Sequence, residues 1–348
     1  MPVIVDERGE SDLDNIIVQI IIMVVAIVAV VKGGDVFVDA ASWMAEATGI
    51  PKLIVGATVV SIATTLPEML VSAIAAFGGS GDMAIGNAVG SVTANIGLIM
   101  AIALIAMPAV VKRKDYLLKS LLMLGAAVVI VICGITGSLG VVGSLVLLVI
   151  CAVAWTENIR NAKHAVALAN IDKSEGVKEK IEGKTVAKNV ILFVVGAAAI
   201  AVGANFMVSS GQFIAEYIGI PERIIAVTVI AVGTSLPELV TTVTAIVKKE
   251  MSLSVGNIIG ANILDLTLIL PVCTLISSSK TGAPLSFTPT VAGLDLPAAL
   301  LVGCIAVIPM LITKKFSRWQ GIVLLVVYAG YVVISSSASI QAMIPWLA

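Results

Sequence analysis

Two stretches of this chain are copies of one another, and each carries one glutamate in the middle of its apolar run. The first reads GIPKLIVGATVVSIATTLPEMLVS, from Gly49 to Ser72, and the second GIPERIIAVTVIAVGTSLPELVTT, from Gly219 to Thr242. Glu68 and Glu238 stand 170 residues apart, and the same offset carries Gly86-Asn87 onto Gly256-Asn257 and Asn95 onto Asp265 without a gap. A carboxylate within an apolar span is costly to bury and marks a functional site. Two of them at matching points of an internal repeat confine the fold to two related halves meeting around one polar centre.

The bilayer reading follows from composition. Of 348 residues 59% are hydrophobic and 12% charged, with mean hydropathy +1.11, far from a soluble domain of this length. The net charge of −1 argues against a nucleic-acid partner. Cys133, Cys151, Cys273 and Cys304 lie in apolar runs without CxxC spacing and read as packing residues, neither disulfides nor metal ligands. The single histidine, His164, falls in a polar loop. The first residues are acidic (Asp6, Glu7, Glu10, Asp12, Asp14), unlike the basic start of a signal peptide.

Runs of about 20 apolar residues predict ten helices, at roughly 15–46, 52–77, 82–108, 116–134, 138–159, 187–216, 221–247, 251–277, 290–313 and 318–338. Lys52, the Lys112-Arg113-Lys114 cluster with Lys119, the 160–187 segment, Lys248-Lys249 and Lys314-Lys315 with Arg318 then share one side; only Arg8, Arg223 and Lys280 face the other. The positive-inside rule makes the first side cytoplasmic and places both termini outside. With five spans per half, the second half enters upside down. The expectation is an all-α polytopic membrane protein of ten transmembrane helices in two inverted five-helix repeats, in the plasma membrane. Residues 1–159 form the first repeat, 160–186 a cytoplasmic linker and 187–348 the second repeat.

In a helix Ser61, Thr64, Thr65 and Glu68 share one face, and Ala231, Thr234, Ser235 and Glu238 form its counterpart. Pro67 and Pro237 cannot donate to the carbonyls of Ala63 and Gly233, and backbone loosened in a bilayer must line a cavity or be covered by protein. The following helices add the stripes Asn87, Ser91, Asn95 and Asn257, Ala261, Asp265. All the donors are hard oxygens, which suit Ca²⁺, Na⁺, Mg²⁺ or K⁺ over zinc or copper. Asn87 and Asn257 are read as structural amides bonding loosened backbone.

TTLPE with GNAVGSVTAN, and GTSLPE with GNIIGANILD, resemble the two alpha-repeats of the cation/Ca²⁺ exchanger superfamily, closest to its Na⁺/Ca²⁺ exchanger branch, over roughly 33–100 and 203–270. The resemblance implies a ten-helix antiporter, not an enzyme and without a cofactor, in which Ca²⁺ and Na⁺ compete for a central cluster by alternating access. It implies Glu68 and Glu238 as shared carboxylates, assisted by Thr64 and Thr234. Thr65, Ser91 and Ser235 would serve Na⁺, with the carbonyls of Ser61 and Ala231, while Asn95 and Asp265 line the middle. Lipid is the expected surrounding, and no obligate protein partner is evident. Two positions depart from the family pattern: Ala261 stands where serine is common, and Asp265 resembles the K⁺-dependent members. K⁺-dependent exchange and H⁺/Ca²⁺ exchange are the alternatives within the family.

Other classes fit less well. Gly79-Ser80-Gly81-Asp82 matches the GxGD string of intramembrane aspartyl proteases, but Asp82 at a helix start reads as an N-cap. Two apposed carboxylates bind too firmly for a channel. Lys32, Asp35, Asp39 and Glu46 read as interfacial, with Lys32 snorkelling, and Asp295 as lying near the outer interface.

Overall fold

The computed structural model describes residues 12–110, 112–172, 182–219 and 231–337. Its helices are α1 (Asp12–Thr48), α2 (Lys52–Phe77), α3 (Gly81–Ala106), α4 (Arg113–Ile135) and α5 (Val141–Asp172). After these come α6 (Gly183–Tyr217), α7 (Leu236–Val247), α8 (Met251–Lys280), α9 (Val291–Thr313) and α10 (Arg318–Ser336). Among the described residues nine helices are long and apolar enough to cross a bilayer. Residues 221–230 of the expected seventh span, the C-terminal end of the chain and most of its acidic start lie outside the described residues.

Two differences from the sequence expectation concern boundaries. Helix α5 begins at Val141 and runs on to Asp172, so the first part of the expected linker is helical. The seventh span, expected to be one helix over 221–247, is described as one turn, Ala231–Thr234, followed by α7. Four two-residue strands, β1 (Ala109–Val110), β2 (Ser138–Leu139), β3 (Leu285–Ser286) and β4 (Lys315–Phe316), join helix ends in antiparallel pairs, β1 with β4 and β2 with β3. Strand β1 precedes α4 and β2 follows it, so the two ladders sit at opposite ends of that helix.

Helices α1 and α6 pack along their length through small residues, which let backbones approach closely in lipid. A Cβ on Gly33 would lie 3.1 Å from the Gly196 carbonyl oxygen and 3.2 Å from the Ile200 nitrogen. A Cβ on Gly203 would lie 3.1 Å from the Ala26 oxygen and 3.3 Å from the Val30 nitrogen. Ser210 donates to Gln19 at 2.9 Å, so rising numbers on α1 meet falling numbers on α6 and the pair is antiparallel. Both helices end on glycines that are also repeat mates, Gly49 and Gly219, at φ 74° and 80°, where a side chain would be strained. The outer faces stay apolar and exposed, as at Ile17, Ile21, Val25, Ile191, Val194 and Val195, a surface for acyl chains.

The N-terminal part of α2 lies flat against α8, where glycines at 56, 256 and 260 leave no room for side chains: a Cβ on Gly260 would sit 2.7 Å from the Cα of Ala57. At the end of the molecule carrying Lys52, that residue pairs with Glu46 of α1 at 2.8 Å and with Glu250 at 2.6 Å, and Lys248 pairs with Asp39 at 2.8 Å. Lys119, grouped in the sequence with the basic residues of one side, is buried, donating to Glu157 and Asn158 of α5. A lysine placed below the interface needs such partners. Asp82 is also corrected. It lies exposed in the first turn of α3, with Ser80 at the N-cap position, so it caps nothing.

Candidate cation site

The first glutamate arrives on a continuous helix. Pro67 sits inside α2 without ending it, and Ser61, Thr64, Thr65 and Glu68 are all buried on one face. The second arrives differently. Ala231, Thr234, Ser235 and Glu238 were expected to form the matching helical face, but the helix breaks at Ser235 (φ −89°, ψ 10°) and α7 restarts with Pro237 in its first turn. The proline ring crowds the preceding turn in both copies. In α2 that turn is continuous with a segment clamped by close backbone contact to α8. Glu238 consequently sits in the first turn of α7, where the helix macrodipole favours an anion. Thr234 is half-buried, whereas Thr64 is buried.

The following helices change winding where they reach the site. Helix α3 opens into a wider, π-type turn at Asn95–Met100, and α8 does the same at Asp265–Ile269. Such turns collect at functional sites because they displace side chains and leave carbonyls under-used. In α8 Pro271 contributes by removing the donor to Thr267. Each π-turn begins on the residue that the repeat pairs, Asn95 with Asp265.

Glu68 and Glu238 are each 1% exposed, as is Asp265, and the three carboxyl groups lie close enough to act on one another electrostatically. Thr64 and Thr65 lie beside the Glu238 carboxyl. Both oxygens of Glu68, both of Asp265 and Oε2 of Glu238 are buried without a hydrogen-bond partner. So are Thr65 Oγ1, Ser91 Oγ, Ser235 Oγ and Asn95 Oδ1. No lysine or arginine pairs with any of the three acids among the described residues. Buried polar atoms are nearly always paired, and buried carboxylates without donors are strongly unfavourable. A desolvated hard cation is the kind of partner that such oxygens accept. Among the described residues no three His, Cys, Asp or Glu side chains are gathered tightly enough to hold a metal by themselves. Hydroxyl and amide oxygens, which hard cations also accept as ligands, are buried beside the carboxylates in the same motifs.

The amides divide. Asn87 donates to the Glu68 carbonyl at 3.1 Å and to Ser72 Oγ at 2.9 Å, so it braces the backbone that carries the carboxylate. Asn257 accepts from Thr64 at 3.2 Å through Oδ1, while its Nδ2 has no partner. It thus joins the halves and does not repeat the role of Asn87. Ser61 turns its hydroxyl to the Thr58 carbonyl at 3.0 Å, leaving its own carbonyl toward Thr64, 3.4 Å away. Ala231 opens the helical turn before Ser235. Asn262, absent from the expected set, is buried and accepts from Asn95 Nδ2 at 3.2 Å. Its place three residues before Asp265, on the same helical face, is the signal that could have exposed it; its repeat mate Val92 is apolar.

Oxygen-only ligands at the crossing of four membrane helices, built from two copies of one motif, define a helical multi-pass membrane transporter of cations. The sodium/calcium exchanger protein family profile matches residues 18–156 and 188–337. The chain belongs to that family. It is 32% identical over 357 residues to the sodium/calcium exchanger MaX1 of Methanosarcina acetivorans, covering 92% of this chain and 99% of that one. It is 34% identical over 277 residues to the inner membrane protein YrbG of Escherichia coli, covering 77% and 82%. The solved structure of the sodium-calcium exchanger NCX_Mj, soaked with Na⁺ and Sr²⁺, superposes with TM-score 0.75 at 26% identity over 92% of this chain and 99% of that one.

Proposed function

We propose that this protein exchanges Ca²⁺ for Na⁺ across the cell membrane by alternating access, expelling Ca²⁺ from the cytoplasm on the Na⁺ gradient. The observation that carries the reading is the group of three buried carboxylates, five of whose six oxygens are buried without a hydrogen-bond partner. Glu68 and Glu238 are the ligands shared by Ca²⁺ and Na⁺, with Thr64 and Thr234 completing the Ca²⁺ shell. Thr65, Ser91 and Ser235, with the carbonyls of Ser61 and Ala231, serve Na⁺. Asn95 and Asp265 face the middle of the cluster. Two negative charges offset one Ca²⁺, and the same oxygens accommodate smaller monovalent charge, so the two ions compete for one site.

The architecture that goes with this is ten spans with both termini outside, residues 1–159 and 187–348 forming inverted halves around the 160–186 linker. Two features support it. Contacts of Gly33 and Gly203 are exchanged under the 170-residue shift, as in a two-fold axis across an antiparallel helix pair. In each short ladder a strand of the first half pairs with one of the second, β1 with β4 and β2 with β3, so exchanging the halves maps one ladder onto the other.

Ca²⁺ binding to the purified protein tests the reading. Radiolabelled Ca²⁺ is expected to bind and to be displaced by Na⁺ but not by choline; binding that Na⁺ leaves untouched would contradict it. A second reading, K⁺-dependent exchange, is favoured by one feature, the two unpartnered oxygens of Asp265.

A further inference from the structure

Asn95 is the one amide in the centre of the site that must be held the right way round. Its repeat mate Asp265 is a carboxylate and presents oxygen whichever way it turns. An asparagine presents oxygen on one side and an NH₂ group on the other. Here Asn95 Nδ2 donates to Asn262 Oδ1 at 3.2 Å, and Asn95 Oδ1 is left buried, with no partner. Asn262 in turn is fully buried, its own Nδ2 spent on the weak acceptor Met123 Sδ at 3.9 Å. That contact directs the Asn262 amide nitrogen toward α4 and its oxygen toward Asn95. Released from it, the Asn95 NH₂ group is a buried donor without a partner, and the cluster holds carboxylate oxygens that also lack one. Rotation would bring NH₂ into the cluster, cap the carboxylate and set a positive dipole end against any cation.

We propose that Asn262 is a positioning residue for cation selectivity, holding the Asn95 amide with its oxygen toward the site and its NH₂ away from Asp265. The device exists in one half only. The 170-residue shift maps Asn262 onto Val92, which has no acceptor, and the residue Val92 would have to orient is Asp265, which needs none. The proposal rests on the exchange reading above and deepens it.

The test is a double-mutant cycle on the full chain, with Asn262→Val, Asn95→Ala and the double variant, each checked for monodispersity in detergent. Two quantities are read: the Na⁺ concentration for half-maximal Ca²⁺ exchange, and the Na⁺-dependent rise in Tm. Asn262→Val is expected to raise the half-maximal Na⁺ about fivefold, the worth of one net hydrogen bond. That effect should vanish in the Asn95→Ala background, because there is no amide left to orient. It should also vanish in Asn95→Asp, where either orientation presents oxygen. An Asn262→Val effect that persists in both backgrounds, or no effect at all, would overturn the proposal. Should Asn262→Val fail to fold, Asn262→Ala makes the same test with a smaller side chain that likewise has no acceptor. The Tm arm needs no exchange, so a protein that binds Na⁺ without exchanging Ca²⁺ would sink the exchange reading and still decide the role of Asn262.

Discussion

Gly33 and Gly203 lie 170 residues apart, and each touches the part of the other's helix that the same shift assigns: Gly33 meets Gly196 and Ile200, Gly203 meets Ala26 and Val30. The contact is thus its own image, as at a two-fold interface. Equal geometry predicts equal consequences. Gly33→Val and Gly203→Val should each destabilise the protein by about 1–3 kcal/mol, the usual cost of overpacking, read as matched losses of Tm in detergent. One variant behaving as wild type while the other unfolds would show that the likeness is superficial.

Removing either central carboxylate should silence Ca²⁺ transport. Glu68→Gln or Glu238→Gln leaves a desolvated divalent ion with too little compensating charge, while the fold is kept by the contacts of α2 with α8. Uptake at near wild-type rate by either purified variant would remove that residue from the site. Glu46→Gln serves as the contrast. Its carboxylate is 67% exposed and pairs with Lys52, so transport should be normal.

Ala261 is fully buried one turn before Asp265, where the first repeat has Ser91 with a buried, unpartnered hydroxyl. Restoring an oxygen there adds one neutral donor to the Na⁺ shell. Ala261→Ser is expected to lower the Na⁺ concentration for half-maximal exchange several-fold, on the scale of about 1 kcal/mol, with little change in apparent Ca²⁺ affinity. An unchanged Na⁺ titration would mean that the position is already served by another oxygen.

The sequence was informative where periodicity and repetition act together. The glutamates, hydroxyls and amides of both motifs could be placed because a helix puts i, i+3, i+4 and i+7 on one face and because the repeat supplies an independent second reading. The same reliance on repetition misled at three points. Pro67 and Pro237 share a motif, yet α2 stays whole and the second copy breaks at Ser235, because tertiary packing, absent from a local pattern, decides whether the turn before a proline survives. Asn87 and Asn257 share a position but bond different partners. Asn262 has an apolar mate and so escaped notice. The burial of Lys119 was not legible in the sequence, because hydropathy does not reveal that Glu157 and Asn158 lie opposite it.

The inverted arrangement makes a prediction about sidedness. With the native cysteines at 133, 151, 273 and 304 replaced, single cysteines at Ser80 and His164, both exposed, should label from opposite faces. Ser80→Cys should react with an impermeant thiol reagent in intact cells, and His164→Cys only after permeabilisation. Labelling of both from outside would contradict an orientation set by the basic residues near Lys112 and Lys248.

Gradient-driven flux bears most directly on the central claim. Purified protein in liposomes loaded with Na⁺ should take up radiolabelled Ca²⁺ when diluted into Na⁺-free medium, with K⁺ absent and no pH gradient. The uptake should collapse when Na⁺ is equal on both sides and should be lost in Glu68→Gln. Uptake that a pH gradient alone drives, with Na⁺ without effect, would contradict the account and assign the site to H⁺ exchange; uptake that needs K⁺ beside Na⁺ would assign it to the K⁺-dependent reaction.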